Sequence, residues 1–336
     1  MAEPPRTSAP ETRQDPPVSG DIDTDTGTDL AFALRGVGAV VGENFALRDV
    51  SFELPTGYVM GLIGANGAGK TTTIRSLLGM RPIDTGEIEL LGHRVPGPVA
   101  LRQDIGVVLD HAFLVGDWRL TEVERALRPF YDRWDGARYR RLLEEFGIDL
   151  RAKVKDLSRG MSVKLMIAVA LSHQARLLVF DEPTSGLDPV TRDELAGIIG
   201  DFLLDEGHSV LFSTHITSDL DRIGDYLTLM HDGRVVRTGT KDEVLDAYRI
   251  VRGGPDDLDD VVGVQLIGLR RTQTAAQALV RTEEANLLDG NVLVELPTLE
   301  DIAIHIAARV PRRDSDPDPS TGRARSDSPM PTGRNL

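Results

Sequence analysis

The chain contains no cysteine, which excludes disulfides, thiolate metal centres and a cysteine nucleophile. Aromatic residues are sparse at 5%, so the buried core must come mainly from the aliphatic part of a 40% hydrophobic composition. Basic residues are in deficit, with 38 Lys and Arg against 53 Asp and Glu and a formal net charge of −15. Nucleic acids and anionic lipid surfaces attract basic patches, so neither is expected as the main partner. No run of about 18 apolar residues is present, the minimum for a membrane-spanning helix. The N-terminal stretch lacks the apolar segment of a secretory signal. A soluble, intracellular chain with no nucleic-acid partner is the expectation. Its 336 residues leave room for one large domain and a smaller one.

Residues 1–29 and 311–336 are rich in Pro, Ser, Asp and Arg and have little to bury. Such segments cannot offset their ordering entropy, and disordered tails are predicted. Gly253-Gly254-Pro255, followed by aspartates through Asp260, punctuates the chain as an exposed linker over 249–263. The main domain is then 30–248 and a small unit occupies 264–310. Inside the main domain, short apolar runs at Tyr58–Ile63, Gly106–Leu109, Leu177–Phe180 and Ser209–Ser213 have the length and composition of buried strands. Asp232-Gly233 between two apolar stretches signals a hairpin. Residues 119–174 have helical spacing instead, which predicts a helical insert in an α/β domain. In the small unit, Val264–Leu269 and Val292–Leu296 are strand-like, and Thr298 to Asp301 opens a final helix.

Gly64-Ala65-Asn66-Gly67-Ala68-Gly69-Lys70-Thr71 fits G-x-x-x-x-G-K-[ST] between a predicted strand and a predicted helix, with Thr72 in the same first turn. Glycines let backbone N–H groups turn inward around phosphate oxygens, and the helix N-terminus adds its positive end. Lys70 is placed to reach the β- and γ-phosphates, and the Thr71 hydroxyl to ligate Mg²⁺. The order of glycines is wrong for a dinucleotide fingerprint. Downstream, the apolar run Leu177–Phe180 delivers Asp181 and Glu182 at a strand end, where an open α/β sheet places its ligand. Asp181 is suited to the Mg²⁺ shell and Glu182 to accepting a proton from an attacking water.

Leu157-Ser158-Arg159-Gly160-Met161 before an apolar helix, DEPTSGLDP over 181–189 and His215 after a strand complete a set of motifs that resembles the ATP-binding-cassette (ABC) ATPases over about 30–248. The resemblance implies an α/β P-loop NTPase fold with a helical subdomain about 111–174, followed by a small C-terminal α+β accessory domain. It also implies a head-to-tail dimer that sandwiches ATP and Mg²⁺. In that arrangement Ser158 and Gly160 of one subunit approach the nucleotide held by the other, His215 touches the γ-phosphate, and Asp188 lies in the loop crossing the seam. The stretches TEVERALRPFYDRW, KDLSRGMSVKLMIAVALSH and STHITSDLDRIGDYLTLMHDG are similar to ATPase subunits of bacterial ABC-2-type exporters, which are often linked to antibiotic-peptide or drug efflux. These pair with a separate integral-membrane permease and with a second ATPase subunit, identical or different. The chain is thereby expected at the cytoplasmic face of the cell membrane, held peripherally through the permease.

The chain departs from the family pattern at three places. Arg159 and Met161 stand where many relatives carry Gly and Gln, and Arg159 either adds charge near a phosphate or is a solvated helix-start residue. Asp110 aligns with the family glutamine that would complete the Mg²⁺ shell, and its shorter reach leaves that shell in question. Val41 aligns with the adenine-stacking aromatic, with Phe45 four residues on. An aliphatic contact weakens base recognition without abolishing phosphate binding. The stretch Phe113-Leu114-Val115, with Trp118, is either core packing or the wall of a permease groove. Two other functions share these motifs: an ATP-binding switch with little hydrolysis, and a soluble cassette ATPase that transports nothing. Glu182 speaks against the first. The single cassette, without a long heptad arm, speaks against the second.

Overall fold

The computed structural model describes residues 29–42, 45–109, 114–259, 261, 263–288 and 292–308. The expected tails, apart from Asp29, lie outside the described residues, as do Asp110 and Phe113. β1 (Leu30–Val41) and β2 (Phe45–Pro55) form an antiparallel pair. Gly36 has φ +61° within a register break of β1, where a residue without Cβ lets a long strand bend. β3 (Val59–Ile63) is buried at every position, as a strand covered on both faces must be. The glycine-rich loop follows it and runs into α1 (Lys70–Leu77). β4 (Thr85–Leu90) returns to β1, and β5 (His93–Arg94) closes that edge, giving a sheet of order β2-β1-β4-β5.

β6 (Ile105–Val108) belongs to a second sheet, and three helices follow it: α2 (Leu120–Leu127), α3 (Gly136–Glu145) and α4 (Arg159–Ser172). The helices share a core of their own around Leu120, Val123, Tyr139, Leu143 and Leu165. The chain stops and restarts where a side chain can satisfy the free N–H groups of a first turn. Asp135 accepts from the N–H groups of Ala137 and Arg138, both at 2.9 Å, to start α3.

The chain then alternates through β7 (Leu177–Asp181), α5 (Pro189–Phe202), β8 (Ser209–Thr214), the short α6 (Leu220–Ile223), β9 (Tyr226–His231) and β10 (Arg234–Thr240). The second sheet has the order β10-β9-β3-β8-β7-β6, parallel except for β10. The expected hairpin is β9–β10: Asp232 and Gly233 both have positive φ, 44° and 72°, as a two-residue turn of the primed type demands. Because β3, β8 and β7 are neighbours and parallel, the loops leaving their C-terminal ends converge. Those loops carry the glycine-rich segment, His215 and Glu182.

α7 (Lys241–Asp246) leads into β11 (Tyr248–Gly253), β12 (Ile267–Arg271), β13 (Ala276–Arg281), β14 (Leu293–Glu295) and α8 (Leu299–Ala307). The third sheet is antiparallel, in the order β12-β13-β11-β14. The expected linker 249–263 therefore begins too early, since residues 249–253 pair with β13 in the heart of this sheet. Tyr248, Ile250 and Val251 are buried there, and the glycines and Pro255 end a strand instead of separating two units. Leu299, Ile302 and Ile306 of α8 join Leu220, Leu227, Phe212 and Phe180 in one hydrophobic cluster. The C-terminal unit thus packs on the nucleotide-motif sheet as an extension of its core.

Candidate active site

The glycine-rich loop is held by close backbone packing. A Cβ on Gly64 would lie 2.6 Å from the Met230 carbonyl oxygen and 2.8 Å from the Ala68 Cβ, so no side chain fits. Gly69 has φ +111°, and the Phe45 ring and the Leu47 side chain approach within 3.0 Å of where its Cβ would stand. The Ala68 N–H donates to the Ala65 carbonyl at 3.0 Å, and the Gly233 N–H to the Ala68 carbonyl at 3.0 Å. The β9–β10 turn therefore braces the loop from one side. α1 starts directly on the glycine-rich loop, with Gly69 as its N-cap, and its first-turn N–H groups have no acceptor within the helix. Lys70 is only 5% exposed. Its Nζ donates to the Gly64 and Ala65 carbonyls at 2.6 and 3.3 Å and lies 2.9 Å from Glu182 Oε1.

At the end of β7, Asp181 is buried and Oδ1 accepts from two hydroxyls, Thr71 Oγ1 at 3.1 Å and Ser213 Oγ at 2.8 Å. Glu182 follows with φ +55°, a left-handed conformation that costs a non-glycine residue on the order of 1 kcal/mol. Its N–H is shared by the Ser213 carbonyl at 3.2 Å and hydroxyl at 3.1 Å. Its carboxylate then spans two basic groups, with Lys70 at Oε1 and His215 Nδ1 2.6 Å from Oε2. His215 is more exposed than its partner, 39% against 17% for the side chains. A carboxylate between a lysine and an imidazole, beside a helix N-terminus, can hold and hand on a proton next to a bound phosphate.

The structure thus gathers Gly64 to Lys70, Thr71, Asp181, Glu182 and His215 at one place. Thr72 is half-buried in the first turn of α1, and no hydrogen bond of its side chain defines a role for it. Other expected nucleotide residues are engaged elsewhere in the same chain. Ser158 is exposed and caps α4, its Oγ accepting from the Met161 N–H at 3.2 Å. Gly160 packs against α5: a Cβ there would meet Thr191 Cγ2 at 3.0 Å. Asp188 caps α5 through the N–H groups of Val190 and Thr191. Hydrogen bonds from the Thr191 side chain, then from backbone N–H groups, hold it below the usual carboxylate range. Arg159 is half-buried at the start of α4, its stem running beside Gly186. Val41 is half-buried at the end of β1, with Val40 exposed beside it.

Residues to which the sequence alone gives no role also support the site. Ser213 ties Asp181 to Glu182. Asp219 accepts from the Thr184 hydroxyl at 2.6 Å. Both fall within STHITSDLDRIGDYLTLMHDG, but their spacing says nothing of these contacts until the fold brings their partners together.

These features define a P-loop ATPase whose parallel sheet carries a helical insert between its phosphate loop and its acidic strand. Residues 47–185 match the ABC transporter family. The chain is similar to Nod factor export ATP-binding protein I of Sinorhizobium fredii, 31% identical over 84% of this chain and 87% of that one. The protein of the same name from Rhizobium leguminosarum bv. viciae is also 31% identical, over 83% of this chain and 96% of that one. Among solved structures, an ATP-binding subunit of an ABC transporter superposes with a TM-score of 0.58 at 31% identity, covering 64% of this chain and 91% of that one. A nucleotide-free ATP-binding cassette, at 21% identity and a TM-score of 0.55, shares the fold over 64% of this chain and 93% of that one. The chain belongs to the ABC transporter ATP-binding family. It is an ATP-binding, ATP-hydrolysing transporter subunit homologous to exporter ATPases. No helix among the described residues is long and apolar enough to cross a membrane.

Proposed function

We propose that this subunit powers an ABC-2-type exporter from the cytoplasmic face of the membrane, bound to a separate polytopic permease. The placement of Glu182 between Lys70 and His215 at the mouth of the phosphate loop supports the hydrolytic part of this reading, and the similarity to export ATP-binding proteins supports the exporter part. Glu182 acts as the general base toward the attacking water, and His215 holds the γ-phosphate side of the site. Lys70 and the loop N–H groups bind the phosphates. Thr71 and Asp181 offer a hydroxyl and a carboxylate 3.1 Å apart, the hard oxygen donors that Mg²⁺ takes alongside phosphate oxygens and water. Bound there, the ion would neutralise phosphate charge. Asp110, outside the described residues, remains the third candidate ligand. Cargo contacts belong to the permease, and the relatives' export of Nod factor is a property of their own transporters.

The site is completed by a second ATPase subunit. Ser158 lies exposed at the N-terminus of the 14-residue α4, where its hydroxyl and the helix end suit a γ-phosphate held by the opposing copy. Gly160 and Asp188 flank the same seam. Glu182→Gln keeps the shape of the side chain and removes the proton acceptor, so ATP binds, stays unhydrolysed and favours the closed dimer. Size-exclusion chromatography with Mg-ATP should show Glu182→Gln as a dimer and the Ser158→Arg, Glu182→Gln double variant as a monomer. A dimer that forms equally well in the double variant would remove Ser158 from the shared site.

A further inference from the structure

Two loops carry the Glu182–His215 pair, one running from Glu182 to Asp188 and the other from His215 to Asp219. One buried carboxylate joins them. Asp219 has a side chain only 7% exposed. Its Oδ2 accepts from Thr184 Oγ1 at 2.6 Å and lies 3.4 Å from Thr214 Oγ1, whose single proton it shares with the Ile216 carbonyl at 3.3 Å. Thr184 stands two residues after Glu182 and Thr214 one residue before His215, and both threonines are buried. The Thr214 hydroxyl also accepts from the Ile216 N–H at 2.9 Å, so it staples the chain across His215. On its other oxygen Asp219 faces Arg192 of α5, with Nη1 3.9 Å from Oδ1. α5 begins at the Asp188 cap.

A carboxylate this buried is costly unless it is paired and hydrogen-bonded. Here every partner belongs to an element that carries a nucleotide motif. The next residue, Leu220, is fully buried in the cluster that also holds α8, which fixes the backbone from which Asp219 reaches. Thr184, Arg192 and Asp219 line a cavity of about 330 Å³. Without the carboxylate, the two loops therefore have room to shift. We infer that Asp219 is a positioning residue that sets the separation of Glu182 and His215, acting through Thr184 and Thr214. The inference rests on the roles proposed above for Glu182 and His215.

The test uses the full-length chain with Asp219→Ala, Thr184→Val, their combination, and Glu182→Gln as a reference. Turnover, ATP affinity and the imidazole NMR resonances of isotope-labelled histidine are read for each. Misplacing reacting groups by a fraction of an ångström to an ångström lowers kcat by about 10- to 100-fold, so Asp219→Ala should fall in that range. ATP affinity should stay within about twofold, since a group acting only on the chemical step leaves ground-state binding alone. Thr184→Val should lower kcat in the same sense, and the double variant should fall no further than the more affected single one. The His215 resonance should move in all three, with those of the buried His173 and His305 in place. If Asp219→Ala does not fold, Thr184→Val, which removes one hydroxyl, carries the test. Wild-type kcat in a folded variant would overturn the inference. So would a parallel fall of kcat and ATP affinity with all histidine resonances displaced, because that is a stability effect. Turnover retained by Glu182→Gln would instead refute the assignment of the base, whatever Asp219 does.

Discussion

Glu182→Gln should weaken the ligand-free chain and tighten its hold on nucleotide, both for one reason. Lys70 Nζ and Glu182 Oε1 are 2.9 Å apart, on side chains only 5% and 17% exposed. Glu182 Oε1 has no hydrogen-bond partner among the described residues, so the pair is an ion contact that a neutral amide loses. Exposed pairs contribute about 0.2–1 kcal/mol, and breaking a fully buried one costs about 3–5 kcal/mol. For this partly buried pair the cost lies between, at roughly 1–2 kcal/mol, which for a domain of this size is a fall in Tm of about 2–8 °C. A phosphate that takes up Lys70 must first separate it from Glu182, so what the pair contributes to the free chain opposes binding. Losing about 1–2 kcal/mol of that opposition raises affinity about 5- to 30-fold. ADP is the appropriate ligand, because without a γ-phosphate it limits direct repulsion by the Glu182 carboxylate. Thermal unfolding and calorimetry on the same preparations give both numbers. Tighter ADP binding with an unchanged Tm would refute the reasoning, since ligand repulsion alone produces that pattern. No change in either would show that the Lys70–Glu182 pair contributes nothing.

Gly64→Ala places a methyl group 2.6 Å from a backbone carbonyl oxygen. Overpacking of this kind costs typically about 1–3 kcal/mol, so unfolding should move to lower urea and nucleotide binding should weaken with it. Burial holds His173 and His305 below the ordinary imidazole range. The unfolded chain then binds more protons than the folded one as the pH drops through about 6.5, so stability falls below that pH and gains nothing above it. Urea midpoints at about pH 7.5 and 5.5 read the effect, and His305→Gln should reduce the difference. Val41 offers no ring face, and the Phe45 ring is packed against Gly69 and Gly233. One aliphatic contact then discriminates ATP from GTP by less than about tenfold, and a hundredfold preference in competition binding would locate another stacking group.

The phosphate loop, the acidic pair and His215 are legible in the sequence because each is carried by contiguous residues whose spacing is itself the geometry. A glycine at 64, 67 or 69 is meaningful at once, since few other uses of a strand-to-helix turn need that order. Ser213, Thr184 and Asp219 lie inside the stretches that carry the family resemblance, but their contacts are not legible from spacing. Their significance arises from β8 lying between β3 and β7, which brings residues some thirty positions apart into contact. The buried strands of the parallel sheet stand out as short apolar runs. The antiparallel sheet is harder to read, because β1 is long, interrupted by Gly36 and Gly38, and alternates burial only in part. The start of the C-terminal unit is misplaced for a related reason. Gly253-Gly254-Pro255 is a strong breaker, yet it ends a strand whose partner lies beyond it in sequence. α7 has a capping box, Thr240 with Glu243, a signal that was available locally and is obscured by the neighbouring strands.

The sharing of one hydrolytic centre between two copies is tested most directly by mixing two inactive variants. Lys70→Ala lacks the phosphate loop's cation, and Ser158→Arg lacks the group proposed to reach across. In an equal mixture, each mixed dimer holds one site built wholly from intact halves and one that lacks both groups. Turnover should return to between about a quarter of the wild-type rate per subunit, for random pairing, and about half, if only mixed pairs close, while either variant alone stays inactive. Equal mixtures that remain as inactive as their components, with dimers shown to exchange, would contradict the shared site.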